Sequence, residues 1–295
     1  MKLSTLSSVK KVLFSLEVFP PKKDTSVNVI YNTLLGLRGL PVDFISVTYG
    51  AGGSQVQKNK TCEIASLIRS NYHIEPVSHL TCVGSQKEDI AASLDALQEN
   101  GVENILALRG DLSPDRQPTE DFRHAVDLIH FIKEYAPQMD ILGACYPEGH
   151  PESDSLEEDL LHLKEKVDCG VSHLITQLFF DNAYFYSFLE KARQKGIHVP
   201  IEAGIMPIVN KSQIERIVSM CGASVPHKMA TYISRYSDNP AALRDAGIFY
   251  ATEQIMDLLE NGVDGIHLYT MNNVEVSQRI SSSIESIIAA KNAVR

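Results

Sequence analysis

The stretch Val12-Leu13-Phe14-Ser15-Leu16-Glu17-Val18-Phe19-Pro20-Pro21-Lys22-Lys23 decides between the two folds that suit a chain of alternating strands and helices. An open doubly wound sheet places Gly-x-Gly-x-x-Gly directly after its first strand, where the backbone approaches a dinucleotide phosphate. Here the first apolar run ends in two prolines and two lysines instead. The glycine cluster at residues 50–54 follows the second strand and has Gln55 at the third glycine position. These features favour a closed barrel.

Short apolar runs alternate with longer amphipathic segments along the whole chain, which is the pattern of repeated βα units. The predicted strands are Val12–Phe19, Phe44–Thr48, Pro76–Thr81, Asn104–Leu108, Ile141–Ala144, His173–Phe179, Ile201–Ile205 and Gly265–Leu268. The predicted helices are Ser26–Arg38, Asn59–Ser70, Gln86–Asn100, Glu120–Tyr135, Leu156–Cys169, Ala183–Lys195, Ser212–Met220 and Val276–Ala290. Residues 225–262 are too long for one connection and indicate an extra helical insertion before the last strand. The chain of 295 residues is therefore predicted to be an α/β protein, a single (β/α)8 TIM barrel domain over residues 1–295.

Composition and charge exclude several classes of protein. The net charge of −10 disfavours a nucleic-acid binder, because affinity for phosphate backbones comes from clustered cations. No apolar run reaches the ~18 residues of a membrane helix, and the N-terminus lacks the pattern of a signal peptide. The five cysteines are odd in number and never spaced as Cys-x-x-Cys, which indicates reduced thiols in a cytoplasmic protein. We therefore expect no nucleic-acid and no membrane partner.

Polar side chains stand at the carboxyl ends of the predicted strands, where a barrel keeps its active site. They are Glu17, Thr48, His79, Arg109, Asp111, Tyr146, Gln177, Tyr269 and Asn272. Any one of them alone would be explained by the passage of a strand into a polar loop. The set as a whole predicts a binding cavity at this end of the barrel.

Glu17 is the most informative single residue because it lies inside an apolar strand. A carboxylate without a partner is costly to bury and tends to keep its proton, and a protonated carboxyl can serve as a general acid. The alternative is a structural salt bridge with a basic residue across the barrel.

Two further groups of residues suit an anionic ligand. Residues 108–111, Leu-Arg-Gly-Asp, end a strand with a forked cation and a flexible glycine, although the same residues also make an ordinary turn. Asp159, His162 and Lys166 share one helix face, which is either a solvated charged surface or a phosphate contact. His79 is either a core histidine or a site residue, and no second ligand stands at metal-binding spacing near it, so no metal is predicted.

Seven segments, in order along the chain, carry a resemblance to one family. They read EVFPPK at 17–22, SVTYGAGG at 46–53, HLTC at 79–82, LRGD at 108–111, YPEGHPE at 146–152, ITQLFFD at 175–181 and HLYTMN at 267–272. Together these segments resemble the motif series of methylenetetrahydrofolate reductase, in its bacterial, barrel-only form. The resemblance extends from about residue 12 to residue 273.

The resemblance implies a flavin-containing (β/α)8 barrel that reduces 5,10-methylenetetrahydrofolate to 5-methyltetrahydrofolate in one-carbon metabolism and methionine biosynthesis. It implies FAD, or alternatively FMN, which a nicotinamide such as NADH reduces and the folate reoxidises at the same face in a ping-pong cycle. By motif, Glu17 would protonate folate N10, Asp111 would favour the developing positive charge, and Gln177 would hydrogen-bond the pterin or the nicotinamide amide. The residues that would hold the flavin are Thr48, Tyr49, Ala51, His79, Leu108, Arg109, Gly110, Asp111, Ala125, Tyr146, His150, Asp159, His162 and Lys166.

Two positions depart from the pattern of the family. Lys211 stands where an aromatic residue commonly packs against nicotinamide or folate, and Asn273 stands where an arginine usually helps to bind folate. The electron donor is therefore NADH, NADPH or a protein partner, and in the last case the chain would be the flavin subunit of a multiprotein complex. We also expect an oligomer, and no C-terminal regulatory domain of the eukaryotic kind. A folate-binding protein without turnover is disfavoured because Glu17, Asp111 and Gln177 are all present.

Overall fold

Eight parallel strands close into a barrel in the computed structural model, which describes residues 1–21, 28–48, 55–114 and 116–293. The strands are β1 (Leu13–Val18), β2 (Phe44–Val47), β3 (Glu75–Thr81), β4 (Asn104–Leu108), β5 (Asp140–Cys145), β6 (His173–Thr176), β7 (Ile201–Ile205) and β8 (Gly265–Tyr269). Each strand pairs with the next along the chain, and β8 closes on β1 with Gly265 opposite Leu13. The predicted α/β class and closed barrel are confirmed.

Eleven helices form within the described residues and surround the barrel. They are α1 (Leu3–Val9), α2 (Asn28–Leu37), α3 (Gln55–Tyr72), α4 (Lys87–Glu99), α5 (Ala125–Tyr135), α6 (Leu156–Asp168), α7 (Asn182–Gln194), α8 (Lys211–Cys221), α9 (His227–Tyr236), α10 (Pro240–Glu260) and α11 (Val274–Ala293). Helices α9 and α10 occupy the segment between α8 and β8, so the predicted helical insertion before the last strand is confirmed.

Strand β6 is shorter than the sequence predicts, because it ends at Thr176 and not at Phe179. From Thr176 onward, side chains from distant segments donate hydrogen bonds to backbone carbonyls that would otherwise pair with a neighbouring strand. Tyr269 Oη donates to Thr176 O at 2.7 Å, and Gln254 Nε2 donates to Phe179 O at 3.0 Å. The prediction of strand through Phe179 is therefore wrong.

Helix α5 begins at Ala125, although the sequence predicts a start at Glu120. Phe122 N donates to Thr119 Oγ1 at 3.2 Å, which holds residues 119–122 in a turn. The carboxylate of Asp127 then accepts hydrogen bonds from the backbone of His124 and of Arg123, both at 2.8 Å. Because this cap satisfies N–H groups that precede the first helical turn, it fixes the start of the helix later than predicted.

Helix α1 covers the amino-terminal end of the barrel, and sequence reasoning did not predict it. Leu3 is fully buried against apolar side chains from the strands, among them Leu13, Phe44 and Leu142. Leu3 N donates to Asn104 Oδ1 at 2.9 Å, so the first turn of the helix is anchored to β4. This end of the barrel is closed by packing, and the polar residues collect at the opposite end.

The cysteines and the helices add two findings about the class of the protein. The five cysteines are Cys62, Cys82, Cys145, Cys169 and Cys221, and all of them are free thiols. None of the helices in the described residues combines the length and the apolar character needed to cross a bilayer.

Candidate active site

A cavity of about 1800 Å³ opens at the carboxyl ends of the strands. Small-molecule pockets are usually about 300–1,000 Å³, so this cavity is large enough for a ligand of dinucleotide size. The predicted site residues that line it are Glu17, Thr48, His79, Leu108, Arg109, Gly110, Asp111, Ala125, Tyr146, His150, Asp159, His162, Lys166 and Gln177. The predicted residues Tyr49 and Ala51 lie outside the described part of the chain.

Glu17 lies on the floor of this cavity, near the end of β1, and only 9% of the residue is exposed. Its Oε2 is 3.5 Å from His79 Nε2 on β3 and 3.7 Å from His267 Nε2 on β8. Its backbone oxygen accepts a hydrogen bond from Thr270 Oγ1 at 2.5 Å, which fixes the end of the strand. The carboxyl thus faces two imidazoles, and among the described residues it has no ion pair with an arginine or a lysine.

His79 is buried, and loss of hydration lowers its pKa to about 4, although the nearby Glu17 opposes the shift. The ring is therefore neutral near pH 7. Among the described residues, its Nε2 makes no hydrogen bond. A buried polar atom without a partner, in a side chain that lines the cavity, is available to a ligand.

The Arg109 turn directly follows β4 and depends on Gly110. Gly110 has φ +88°, and a Cβ at this position would lie 2.9 Å from Val83 Cγ1, so a larger residue is excluded. The Arg109 guanidinium binds Glu152 through two hydrogen bonds of 2.6 Å, one from each terminal nitrogen. These bonds lower the pKa of Glu152 and hold the cation at the cavity wall.

The predicted polar face of α6 lines the cavity as a set. Burial lowers the pKa of Lys166, whose Nζ donates to Ala144 O at 2.7 Å. Burial raises the pKa of Asp159, which accepts a hydrogen bond from His150 N at 3.2 Å. His162 is exposed at the rim. The alternative of a solvated charged surface is therefore wrong for Lys166 and Asp159, because both are partly buried and bound to neighbouring segments.

Tyr146 and Gln177 complete the wall. Burial raises the pKa of Tyr146 well above its usual value, so its phenol stays neutral, and its ring packs edge-on against His150 at 4.6 Å between centroids. Gln177 Oε1 accepts a hydrogen bond from Leu178 N at 2.9 Å. This bond orients the amide and, within the described residues, leaves its Nε2 free for a ligand.

Sequence reasoning missed His267, although the signal that identified Glu17 was present. His267 is a polar residue in the middle of an apolar strand, and it is fully buried beside the carboxyl. Tyr269, noted from the sequence only as a strand-end residue, also lines the cavity, and burial raises its pKa well above the usual value.

The two departures from the family pattern occupy different places. Lys211 is exposed at the first position of α8 and is not among the lining residues, whereas its neighbours Asn210 and Ser212 are. Asn273 lines the cavity, and its Oδ1 accepts a hydrogen bond from Val276 N at 3.2 Å, which caps α11.

A family model described as methylenetetrahydrofolate reductase matches residues 2–285. The chain belongs to the methylenetetrahydrofolate reductase family. It is 34% identical over 270 residues to the 5,10-methylenetetrahydrofolate reductase of Escherichia coli (strain K12), covering 92% of this chain and 90% of that relative. It is 35% identical over 285 residues to the methylenetetrahydrofolate reductase (NADH) 1 of Arabidopsis thaliana, covering 92% of this chain but 48% of that relative. The chain thus spans about half the length of the plant relatives of the family that it matches.

Solved structures with much lower sequence identity share the fold. An uncharacterised protein from Clostridium thermocellum, described as binding two copies of 5-methyl-5,6,7,8-tetrahydrofolic acid, has a TM-score of 0.65 at 14% identity, covering 97% of this chain and 100% of the other. A dihydropteroate synthase from Xanthomonas albilineans has a TM-score of 0.52 at 11% identity, covering 94% of this chain and 93% of the other. At such identities the likeness is one of fold alone.

Proposed function

We propose that this protein reduces 5,10-methylenetetrahydrofolate to 5-methyltetrahydrofolate in a ping-pong cycle that uses bound FAD, and that residues 1–295 form one flavin-binding domain. The observation that carries the proposal is the buried carboxyl of Glu17 on the floor of a large cavity, in a chain of this family. A relative that is 34% identical and is covered over 90% of its length is named for this reaction.

The cavity wall suits a flavin with a phosphate-bearing arm. Arg109 and Lys166 supply cations, and the tight Gly110 turn lets a ligand approach the backbone closely. The unpaired Nε2 of His79 offers a further polar contact. FAD held by these residues would supply hydride chemistry between a nicotinamide and the folate. The additional polar residues on α6, Asp159 and His162, favour the longer dinucleotide arm of FAD over FMN.

Glu17 would act as the general acid on the folate. The carboxyl donates its proton to N10, the bond between N10 and the methylene carbon breaks, and the carbon becomes an iminium at N5 that accepts the hydride. Asp111 would stabilise the positive charge that develops on the iminium, since an anion nearby lowers its energy. Gln177 would present its amide to the pterin edge or to the nicotinamide amide.

A second candidate function is that of a flavin subunit in a multiprotein methylenetetrahydrofolate reductase, which receives electrons from an iron–sulfur or flavin partner. The observation that favours it is Lys211, which replaces the stacking aromatic with a mobile charge. NADH remains the donor that we propose first, because the lysine stem can also cover a ring. We further propose a cytoplasmic location, as the five free cysteines suggest, and an oligomeric state.

Replacement of Glu17 by glutamine tests the proposal. Flavin binding and flavin reduction should stay nearly unchanged, whereas folate reduction should slow by about 10²–10⁴-fold, as is typical when a general acid is lost. Stopped-flow measurement of the two half-reactions separates these effects. Glu148→Gln is the matched control, because Glu148 follows β5 and does not line the cavity. A folate half-reaction within a few-fold of the wild-type rate would show that the assignment of Glu17 is wrong.

A further inference from the structure

A row of polar side chains runs through the barrel interior beneath Glu17. His267, Ser15, Glu202 and His173 are each 0% exposed. His267 Nδ1 lies 2.6 Å from Ser15 Oγ, Ser15 Oγ lies 2.5 Å from Glu202 Oε2, and Glu202 Oε1 lies 2.8 Å from His173 Nε2. The row links β8, β1, β7 and β6 and ends next to Glu17. The reaction proposed above does not use it.

The barrel makes room for the carboxylate of Glu202 at a specific position. A Cβ on Gly265, the first residue of β8, would lie 2.6 Å from Glu202 Cγ. Glu202 itself is fully buried. A carboxylate in such surroundings is costly unless its oxygens are paired. Both oxygens of Glu202 are hydrogen-bonded here, so the row is a specific polar arrangement within the core.

Ser15 is the central member of the row, and its hydroxyl sets the direction of the hydrogen bonds. This hydroxyl donates to Glu202 Oε2 at 2.5 Å. The other acceptor within reach of this hydroxyl, Ile266 O, is at 3.5 Å. Because Ser15 gives its proton to Glu202, its oxygen must accept from the ring of His267. In this arrangement His267 would carry its proton on Nδ1.

With Nδ1 protonated, a neutral His267 has an unprotonated Nε2. That atom is 3.7 Å from Glu17 Oε2 and 3.4 Å from Ser46 Oγ, a hydroxyl that can donate to it. The ring is held in place by Phe44, stacked at 6.0 Å, and by Tyr269, edge-on at 5.3 Å. Since packing fixes the ring plane, the remaining variable is which nitrogen bears the proton.

We propose that Glu202 is a positioning residue for Glu17, because through Ser15 it sets the tautomer of His267. An unprotonated His267 Nε2 can accept a hydrogen bond from the protonated Glu17 carboxyl, which is the form that donates a proton. A protonated Nε2 would instead donate to the Glu17 carboxylate. The other groups that face the carboxyl are neutral, namely His79 and the phenol of Tyr269. The inference rests on the proposed function in one respect, the assignment of Glu17 as the acid.

Replacement of Glu202 and His173, the two members of the row farthest from Glu17, tests the inference. In Glu202→Met/His173→Leu both buried polar partners become apolar, a change that is often neutral or stabilising for a buried pair. The Ser15 hydroxyl then turns to His267 Nδ1, and the ring proton moves to Nε2. Long-range ¹H–¹⁵N NMR of the ¹⁵N-histidine-labelled holoprotein reports the tautomer directly, with the His267 signals assigned from a His267→Gln sample. Ser46→Ala is the control, since it removes a hydroxyl at the other nitrogen and should leave Nδ1 protonated.

The same variants are measured in the two half-reactions. Flavin reduction should not change, and the folate step should slow by about 10–100-fold, by analogy with the loss of an outer partner that orients a metal-binding residue. If the double variant does not fold, Ser15→Ala breaks the row at its centre and should give the same selective loss. An unchanged His267 tautomer, or a folate step within twofold of wild type, overturns the inference. If Glu17→Gln leaves the folate half-reaction unchanged, the proposed function is wrong. The tautomer of His267 is measured without substrate, so the two failures can be told apart.

Discussion

Glu17 and His79 illustrate how burial, more than charge pairing, sets the chemistry of individual residues in this cavity. The two side chains are 3.5 Å apart, yet loss of hydration outweighs the attraction of the carboxyl and lowers the pKa of His79 to about 4. A histidine that is neutral when folded must take up a proton in the unfolded chain at mildly acidic pH. The burial of His79 therefore lowers the free energy of unfolding at acidic pH.

We expect His79 to make the protein less stable as the pH falls. The ordinary pKa of 6.5 applies to the unfolded chain and about 4 to the folded one, so between these values the unfolded state binds more protons. The contribution of His79 to the free energy of unfolding is fully present above about pH 6.5. It decreases as the pH falls towards 4, by up to about 3 kcal/mol. Urea unfolding of flavin-free protein at several pH values measures this. In His79→Gln the decrease should be smaller, and parallel pH profiles for the two proteins would contradict the prediction.

Charges at the cavity wall should act on flavin affinity in opposite directions. Glu152 neutralises Arg109 and would compete with a phosphate for it, so Glu152→Gln should tighten flavin binding several-fold. Lys166→Glu replaces an attractive contact with a repulsive one and should cause loss of flavin on gel filtration without unfolding. Titration of flavin-free protein followed by flavin fluorescence measures both. Full flavin occupancy of Lys166→Glu at low salt would show that α6 does not hold the phosphate arm.

The residues that sequence analysis identified and those it missed differ in one physical respect. Glu17 could be predicted because a carboxyl inside an apolar strand is unusual by itself. His267 and Glu202 give the same signal in their own strands, but their significance lies in contacts with Ser15, 252 and 187 positions away. Likewise the pairing of Arg109 with Glu152 joins two loops that only the closed barrel brings together. Pairings of this kind depend on tertiary structure, and one sequence does not contain them explicitly.

At the scale of elements, the strands were predicted well because each is a short apolar run between polar turns. The mispredicted start of α5 is set by nearby capping side chains, whereas the mispredicted end of β6 is set by a distant one. Gln254 on α10 binds the carbonyl of Phe179 and ends β6 early. Helix α1 was missed because only Leu3 among its residues is fully buried, so its sequence carries little periodicity.

Helix α1 should contribute to stability through Leu3. This side chain is fully buried in the cluster that closes the amino-terminal end of the barrel, so Leu3→Ala should lower the free energy of unfolding by about 2–5 kcal/mol. Val9→Ala is the matched control on the same helix, because Val9 is 73% exposed and its truncation should change stability by less than about 0.5 kcal/mol. Denaturant unfolding compares the two. Equal effects would mean that the helix packs only loosely on the barrel.

At the scale of the whole molecule, the distribution of charge is as informative as its sum. The net charge is −10, yet Arg109 and Lys166 lie at the wall of the cavity. These two cations can bind small anionic groups, and both a flavin phosphate and a folate carboxylate are of this kind. The same overall charge disfavours polyanionic surfaces such as nucleic acid. The fold thus places two cations at the carboxyl ends of the strands, among several carboxylates that also line the cavity.

The source of electrons is a property of the whole molecule, since it decides whether the chain works alone or with a partner protein. Lys211 is at the first position of α8, which Asn210 caps by accepting a hydrogen bond from Gln213 N at 2.8 Å. The cap places residue 211 beside the cavity mouth, because Asn210 and Ser212 both line the cavity. An aromatic residue there would stack on a nicotinamide and contribute about 0.5–1.5 kcal/mol beyond its buried area, which lysine does not supply.

We therefore expect the purified, flavin-loaded chain to be bleached by NADH only with a raised Michaelis constant, and Lys211→Phe to lower that constant several-fold. The measurement is flavin absorbance under anaerobic conditions over a range of NADH concentrations. Ser212→Ala is the control, because it changes the neighbouring lining position without adding a ring. Efficient bleaching of the wild type by micromolar NADH would show that the lysine stem covers the nicotinamide well enough. If NADH bleaches neither the wild type nor Lys211→Phe, the chain depends on an electron-donating protein, and the multiprotein complex becomes the better account of its function.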